Sequence, residues 1–218
     1  MMTNEIKFSA TKLKDDWFDQ YSWSEIRYPA GLTPSDYLVF AENDLEEGRT
    51  QRHLINAISN AKRALHLEVE TICNAFGLQA LKKKSKNFPQ KLDFLGKCGI
   101  VKRRLFEKMN NLRNVVEHEY YVPDSSEVED FIDVVTLFVD AMKLNRMRYP
   151  CDVDIYNATD DSGEFHATSL TGSLEKGVLI LKIFPVGIHR GETEVRKEIT
   201  VDDDNYFVWL SFILKNNG

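Results

Sequence analysis

The sequence predicts an α+β protein in which an antiparallel helical bundle precedes a small antiparallel β-sheet. Between Thr33 and about Arg148, apolar residues recur at steps of three and four, the spacing of helices that bury one face. After Tyr149 and Pro150, the apolar residues form short runs between turn residues, a pattern typical of strands. The chain has 218 residues and 43% apolar content, enough to bury a sizeable core.

We predict three regions along the chain. Residues 1–32 form an aromatic-rich N-terminal arm, residues 33–149 the helical bundle, and residues 150–218 the β region. The arm has many large rings among polar neighbours, namely Trp17, Phe18, Tyr21, Trp23 and Tyr28. Such a density of rings indicates a segment that packs on the body of the protein, and a short helix fits within it.

Two helices are predicted at the start of the bundle. Thr33 is a good N-cap and Pro34 suits the first helical position, so the first helix begins there and ends at Gly48. The second has the clearest apolar stripe and ends near Gly77. That stripe consists of Leu54, Ile58, Ala61, Leu65, Val69, Ile72 and Phe76.

Residues 78–99 are predicted to be a basic loop, with a brief helix near Phe94. A further helix begins near Val101 and ends before Pro123. The buried stripe of that helix consists of Leu105, Met109, Leu112 and Val116. Ser126 and Glu129 have capping-box spacing, so a last long helix extends from there to about Asn145 or Arg148.

Five strand-like runs follow, separated in several places by turn residues such as Asp160-Asp161-Ser162-Gly163. The runs are 152–156, 164–170, 177–184, 192–201 and 206–214. Asp202-Asp203-Asp204 lies between the last two runs, where three acidic residues more often form a turn than a cation site.

Composition limits the classes of function. A formal net charge of −6 argues against a protein that coats nucleic acid by bulk electrostatics, so such contacts require a local basic patch. The three cysteines match no zinc-ligand spacing, and an odd count favours structural thiols in a reducing compartment. Neither a secretory signal nor an apolar run of about 18 residues is evident, so we expect a cytoplasmic protein without a membrane span.

The residues best suited to chemistry lie in the stretch from Leu112 to Tyr121. Arg113, Asn114, His118 and Tyr120 cluster there near a predicted helix end. Arginine is a fixed cation and histidine titrates near neutral pH, a combination suited to holding or cleaving an RNA phosphodiester.

Helix geometry does not bring all of these side chains together. A five-residue offset turns Arg113 and His118 about 140° apart, whereas Asn114 and His118 share one face. Convergence therefore requires the reach of the arginine side chain, a distortion near Glu119, or two copies of the helix across a dimer axis.

Two interpretations of the stretch remain open on these grounds. In the first, His118 acts as general acid or base at a ribose 2′-hydroxyl or a departing 5′-oxygen, Arg113 offsets the negative charge of the transition state, and Asn114 positions one of the reacting groups. In the second, Arg113 pairs with Glu117 on the surface and His118 caps the last helical carbonyls.

The pattern Arg113-Asn114, His118 and Tyr120, late in an antiparallel helical domain, resembles the Arg-x4-His-x-Tyr motif of the HEPN superfamily. The resemblance covers about residues 33–145. It includes the long preceding helix with its polar residues Asn56, Asn60, Lys62 and Arg63.

The resemblance implies a helical bundle that dimerises through its motif helices and acts as a metal-independent endoribonuclease, in toxin–antitoxin, phage-defence or RNA-processing systems. Arg113 and His118 correspond to its catalytic residues, and Asn114 to the polar residue after the arginine. Tyr120 matches a tyrosine that, in a subset of these toxins, a minimal nucleotidyltransferase antitoxin adenylylates. The aromatic arm and the strands after Pro150 depart from the usual short helical toxins.

The remaining signals are weaker. Lys102, Arg103 and Arg104 are candidates for contact with an RNA backbone, and the lysines of residues 82–86 are either a second such patch or solvated surface. The other histidines have no metal-ligand spacing, so we expect no metal and no cofactor. The alternative to an enzyme is a non-catalytic module that binds RNA, a nucleotide or a protein partner.

Overall fold

The computed structural model describes residues 7–8, 12, 14, 18–82, 87–100, 123–187 and 194–216. The described helices are α1 Pro34–Glu47, α2 Gln51–Ala75, α3 Phe88–Lys97, α4 Ser125–Met147 and α5 Asp204–Lys215. The strands are β1 Phe18–Ser24, β2 Tyr149–Thr159, β3 Phe165–Ser173, β4 Val178–Pro185 and β5 Val195–Thr200. Short 3-10 turns cover Leu78–Ala80 and Leu174–Lys176. The predicted α+β class with an antiparallel sheet is confirmed.

Helix α1 begins and ends where the sequence predicts. The Thr33 hydroxyl accepts a hydrogen bond from the Asp36 amide (3.3 Å), and the Asp36 carboxylate accepts one from the Thr33 amide (2.7 Å). This reciprocal capping box satisfies two amides of the first turn, and its backbone hydrogen bond lowers the pKa of Asp36. Gly48 is the C-cap.

Helix α2 is the longest described helix and forms a hairpin with α1, from which residues 48–50 separate it. Its predicted apolar stripe is buried along the whole length, from Leu54 at 6% exposure to Ile72 at 0%. Helix α4 packs on α1 and α2. The three helices therefore bury their apolar faces against one another.

Helix α4 begins earlier than the sequence suggested. Asp124 and Glu127 form its capping box, with the Asp124 side chain accepting from the Glu127 amide at 2.9 Å. The predicted box of Ser126 and Glu129 is therefore wrong. Aspartate caps as well as serine does, and the earlier start places Val128, which is fully buried, within the first turn.

The five strands form one sheet in the order β1-β2-β3-β4-β5, and every neighbouring pair is antiparallel. The arm supplies the edge strand β1, which the sequence pattern did not predict. The predicted turn between β2 and β3 is confirmed, because the Asp160 carboxylate accepts hydrogen bonds from the Phe165 amide (3.0 Å) and the Ser162 hydroxyl (2.7 Å).

The predicted last strand, residues 206–214, is wrong, because this segment forms helix α5. Its aromatic and β-branched residues favour strands locally. However, the buried positions follow helical spacing, and the Asp203 side chain caps the helix by accepting from the Asn205 amide at 2.9 Å. Those buried positions are Tyr206, Trp209, Leu210 and Ile213.

The end of α2 is the point where the helices meet the sheet and α5. Tyr149 of β2 donates its hydroxyl to the Ala75 carbonyl (2.5 Å), and Tyr206 of α5 donates to the Phe76 carbonyl (3.0 Å). A helix leaves its last carbonyls without intrahelical partners, and these two tyrosines satisfy a pair of them inside the core. The buried side chains of helices and strands belong to one cluster.

Gly77, directly after this helix end, has φ +90°, and a Cβ added there would lie 2.5 Å from the Gly177 Cα. We predict that Gly77→Ala lowers the free energy of unfolding by about 3 kcal/mol, since the substitution adds backbone overlap to the strain of a positive φ. Denaturant unfolding followed by circular dichroism measures this change.

The matched control is Gly163→Ala, at φ +76° with nothing within 4 Å of the added Cβ. Only the conformational strain applies there, so the expected loss is about 1 kcal/mol. Equal losses at the two glycines would contradict the proposed role of the Gly77–Gly177 contact.

Candidate functional site: a groove along helix α2

The sequence-predicted catalytic residues Arg113, Asn114 and His118 lie outside the described residues, as does Tyr120. The same holds for the candidate RNA contacts Lys102, Arg103 and Arg104. Their proposed roles therefore stay predictions.

The described chain adjoins this segment on both sides. Before it, the Ile100 amide donates to the Leu95 carbonyl (3.2 Å), and Gly99 has φ +77°, so α3 ends in a compact left-handed turn. After it, Pro123 is buried and Asp124 caps α4. The segment that contains the motif thus starts and ends at anchored points of the helical part of the protein.

A groove with cationic side chains lies along α2, the helix that the resemblance places before the motif. Its cavity measures about 450 Å³. Five of its lining residues recur at three- and four-residue steps on one face of α2, and α1 contributes Tyr37. Those five are Ser59, Lys62, Arg63, His66 and Glu70.

Hydrogen bonds orient the basic end of this groove. The Arg63 guanidinium donates to the Asn60 side-chain oxygen (3.2 Å), and the Asn60 amide nitrogen donates to Asp44 of α1 (3.0 Å). Arg63 itself is exposed, so its charge remains available to solvent and ligands. Arg63 and its partner Asn60 thus lie beside Lys62 on α2, within the polar set Asn56, Asn60, Lys62 and Arg63 of the long helix that precedes the motif.

The other end of the groove is less cationic. The carboxylate of Glu70 binds the Lys91 ammonium at 3.0 Å, an ion pair between α2 and α3. The His66 ring stacks on Phe88 with centroids 4.3 Å apart, so it packs α3 against α2. The groove is thus polarised, with its positive charge at Lys62 and Arg63.

A second cavity of about 580 Å³ continues along α2 from Leu67 and Glu70, which line both cavities. The residues after β1 form its opposite wall, and Tyr149 and Glu175 line it as well. Together the two cavities make a concave surface from Ser59 to Ala75, within the size range of ligand sites.

Beneath this second cavity lies a buried ionic cluster that the sequence analysis missed. Glu68 is 0% exposed. Its carboxylate accepts a hydrogen bond from the Tyr28 hydroxyl (2.5 Å) and one from Arg146 Nε (3.0 Å), and the Arg146 guanidinium lies 4.6 Å from the Tyr28 ring centroid. The signal in the sequence was a glutamate on the apolar stripe of α2, between Leu65 and Ile72.

Burial raises the pKa of Glu68 above its ordinary value, and the hydrogen bonds from Tyr28 and Arg146 only partly offset this effect. Burial and the hydrogen bond to Glu68 likewise raise the pKa of Tyr28. Both carboxylate oxygens have partners and no surface reaches solvent. The cluster therefore joins the arm, α2 and α4 and is not itself accessible for chemistry on a substrate.

The remaining candidates have structural roles. Asp203 caps α5, and the Asp202 carboxylate lies 3.5 Å from the Lys82 ammonium, so the acidic triplet forms a helix start. Cys73 and Cys98 are buried.

Across the described ranges, no group of three or more His, Cys, Asp or Glu side chains is arranged to hold a metal ion. Within the same part of the chain, the helices are too short or too polar to cross a membrane.

The Glu68 cluster yields a stability prediction. Arg146→Met leaves a buried carboxylate without its cation and is expected to lower the free energy of unfolding by about 3 kcal/mol. Arg196→Met is the control, because Arg196 pairs with Glu194 on the surface and 67% of its side chain is exposed. This variant should lower the free energy of unfolding by less than about 1 kcal/mol. Comparable losses in both variants would contradict the argument.

The same variant has a predicted pH dependence. Since Arg146 lowers the pKa of Glu68, removing it raises that pKa further, and folding then favours the protonated carboxyl even more. A group whose pKa is higher in the folded than in the unfolded state stabilises the folded protein at pH values below its unfolded-state pKa, and this stabilisation is lost as the pH rises through the folded-state pKa. The deficit of Arg146→Met should therefore shrink between about pH 7 and about pH 5. Denaturant unfolding across this range tests the sign.

No protein-family model, curated protein or solved structure matches this chain. Its function is therefore argued from its own residues: the motif between α3 and α4 and the polarised groove along α2.

Proposed function

We propose that this protein is a metal-independent endoribonuclease of the HEPN type. The observation that carries the proposal is the sequence Arg113-Asn114-x3-His118-x-Tyr120, placed between two helices of a helical region. The α1–α2 hairpin and the packing of α4 on it support the helical frame that the resemblance requires.

In the proposed reaction, a histidine takes the proton of a ribose 2′-hydroxyl, and the 2′-oxygen attacks the adjacent phosphorus. The bond from phosphorus to the 5′-oxygen breaks, and that oxygen leaves with a proton supplied by the acid form of a histidine. The products are a 2′,3′-cyclic phosphate and a 5′-hydroxyl. Arg113 offsets the charge that develops on the phosphoryl oxygens, and Asn114 positions His118 or the phosphate.

The groove along α2 supports this proposal as a path for the RNA backbone. Lys62 and Arg63 provide local positive charge in a chain whose net charge is −6, which is the arrangement expected of a specific phosphate-binding surface. Asn60 orients Arg63. We propose that phosphates of the bound strand contact these two cations.

The resemblance also bears on partners. A homodimer in which two motif helices line a shared cleft would supply the convergence that one helix does not give. A cognate antitoxin, such as a minimal nucleotidyltransferase that modifies Tyr120, and a role in phage defence extend the same proposal. The genes beside this one are the most direct test of an antitoxin.

The first functional prediction concerns the motif. With chelator present, the wild-type protein should cleave RNA to 2′,3′-cyclic phosphate ends, and His118→Ala or Arg113→Ala should reduce the rate by at least about 100-fold. His53→Ala, a histidine outside the motif, is the matched control and should keep the wild-type rate. Full activity in both motif variants would refute the mechanism.

The second concerns the groove. Lys62→Ala combined with Arg63→Ala should raise KM for RNA several-fold and weaken the salt dependence of binding, while kcat changes little, because these cations contact phosphates away from the reacting bond. Arg196→Ala, on the outer strand β5, is the control for loss of a surface cation. An unchanged KM in the double variant would remove the groove from the proposed RNA path.

A non-catalytic binding module is the second candidate, and the preformed concave surface along α2 favours it. A binder retains RNA or another ligand in that groove without cutting it. RNA that is bound in a Lys62- and Arg63-dependent manner but never cleaved would select this candidate over the enzyme.

A further inference from the structure

Helix α4 carries a second apolar stripe, which begins at the half-buried Val134 beside the core and continues onto the exposed face at Leu137, Ala141 and Leu144. Val134, Leu137, Ala141 and Leu144 follow one another at steps of three, four and three residues, which aligns them along the helix. Leu137 is 70% exposed and Leu144 is 55% exposed. A single exposed leucine needs no explanation, but a line of apolar residues along a helix of the length of α4 is typical of a helix-packing surface.

Opposite charges mark the two ends of the stripe. Asp130 precedes Val134 by about one turn, and Arg148 follows Leu144 by about one turn; both are exposed. Arg148 is the C-cap, and its amide still donates to the Leu144 carbonyl at 2.9 Å, so its backbone follows the path of the helix. The two charges are about 27 Å apart along the helix axis.

The order of these six residues is symmetric about position 139. Asp130 and Arg148 are equally distant from it, as are Val134 and Leu144, and Leu137 and Ala141. A second copy of the helix, running antiparallel across a two-fold axis at this point, would therefore meet complementary residues at every position. Acid would oppose base at both ends, and large would oppose small side chains at the centre.

We propose that the protein forms a homodimer in which α4 packs antiparallel against α4 of a second copy. In this register Leu137 contacts the partner's Ala141, Val134 contacts the partner's Leu144, and Asp130 pairs with the partner's Arg148. The Arg148 guanidinium lies 5.7 Å from the ring centroid of Trp23, which is 51% exposed and extends the apolar surface at that end.

Charges beside the stripe favour a second copy over other occupants. Asp133 and Asp140 lie along one edge of it and are exposed, so the face repels the phosphates of RNA or an anionic lipid surface. Asp140 is close to the two-fold axis, so two copies bring like charges together there. This repulsion weakens the dimer relative to one held by the apolar contact alone. Asp140→Asn removes the repulsion and should therefore lower the dissociation constant of the dimer.

The inference does not depend on the proposed ribonuclease. It concerns α4, whereas the resemblance implies dimerisation through the motif helices, and association is measured without RNA. Loss of the α4 dimer with cleavage retained would overturn this inference alone, and loss of cleavage in a normal α4 dimer would overturn the proposed mechanism alone.

The first experiment measures the molar mass of the full chain by light scattering between about 1 and about 200 µM, the range where small interfaces associate. The expected result is that Leu137→Asp halves the molar mass of the wild-type assembly, from dimer to monomer or, where the motif helices also pair, from tetramer to dimer, with an unchanged circular dichroism spectrum. Val39→Asp places the same charge at a 55% exposed valine of α1 and should leave the dimer intact.

The second experiment tests the register by exchanging charges. Asp130→Arg alone, or Arg148→Asp alone, opposes like charges at both ends and should weaken the dimer at least about tenfold. The variant with both substitutions restores two opposite-charge contacts and should recover the wild-type dissociation constant.

Three results would overturn the proposal. One is a wild-type chain that is monomeric at the highest concentration, and another is a dimer that Leu137→Asp leaves unchanged. The third is a double charge variant that is as weak as the single ones, which would exclude the antiparallel register. Both substituted charges are on exposed positions, and the circular dichroism spectrum of each variant checks that it is folded.

Discussion

The buried carboxylate of Glu68 is the constraint on which the arrangement of the helical part depends. Desolvating a charge inside a core is unfavourable unless partners surround it, and here they come from the arm and from the end of α4. The Ile26 amide also donates to the Arg146 carbonyl at 2.9 Å, so backbone and side chains fix the same contact. The partners of this one carboxylate thus hold the arm, α2 and α4 together. Tyr28 of this cluster also lines the 580 Å³ cavity along α2.

The end of α2 performs a similar role between the helices and the sheet. Its last carbonyls would be unsatisfied in the core, and the tyrosine hydroxyls of β2 and α5 bind them. Backbones approach closely at the same place because Gly77 and Gly177 have no side chains. The strands are therefore packed on the helical region through a few specific contacts, and the concave surface along α2 is bordered by both.

The α2 groove and the apolar stripe of α4 differ in the charges beside them. Asn60 binds Arg63 of the α2 groove and also donates to Asp44 of α1, whereas carboxylates border the second apolar stripe of α4. Under the two proposals, these faces take different partners: a polyanion on α2 and another copy of the chain on α4. A nuclease with an acidic exterior would direct RNA to the first surface by repelling it from the second.

The sequence by itself determined the ends of α1 and α2, the strands β2 to β5 in outline, and the α+β class, because capping residues, glycine stops and apolar periodicity act locally. The motif residues also came from the sequence, and their arrangement remains a prediction. Only the tertiary structure decided that residues 206–214 form a helix, since burial of Tyr206 and Trp209 outweighs their strand propensity. It alone paired the arm with β2 and joined Glu68 to Tyr28 and Arg146, because contacts separated by 40 and 78 residues leave no local pattern.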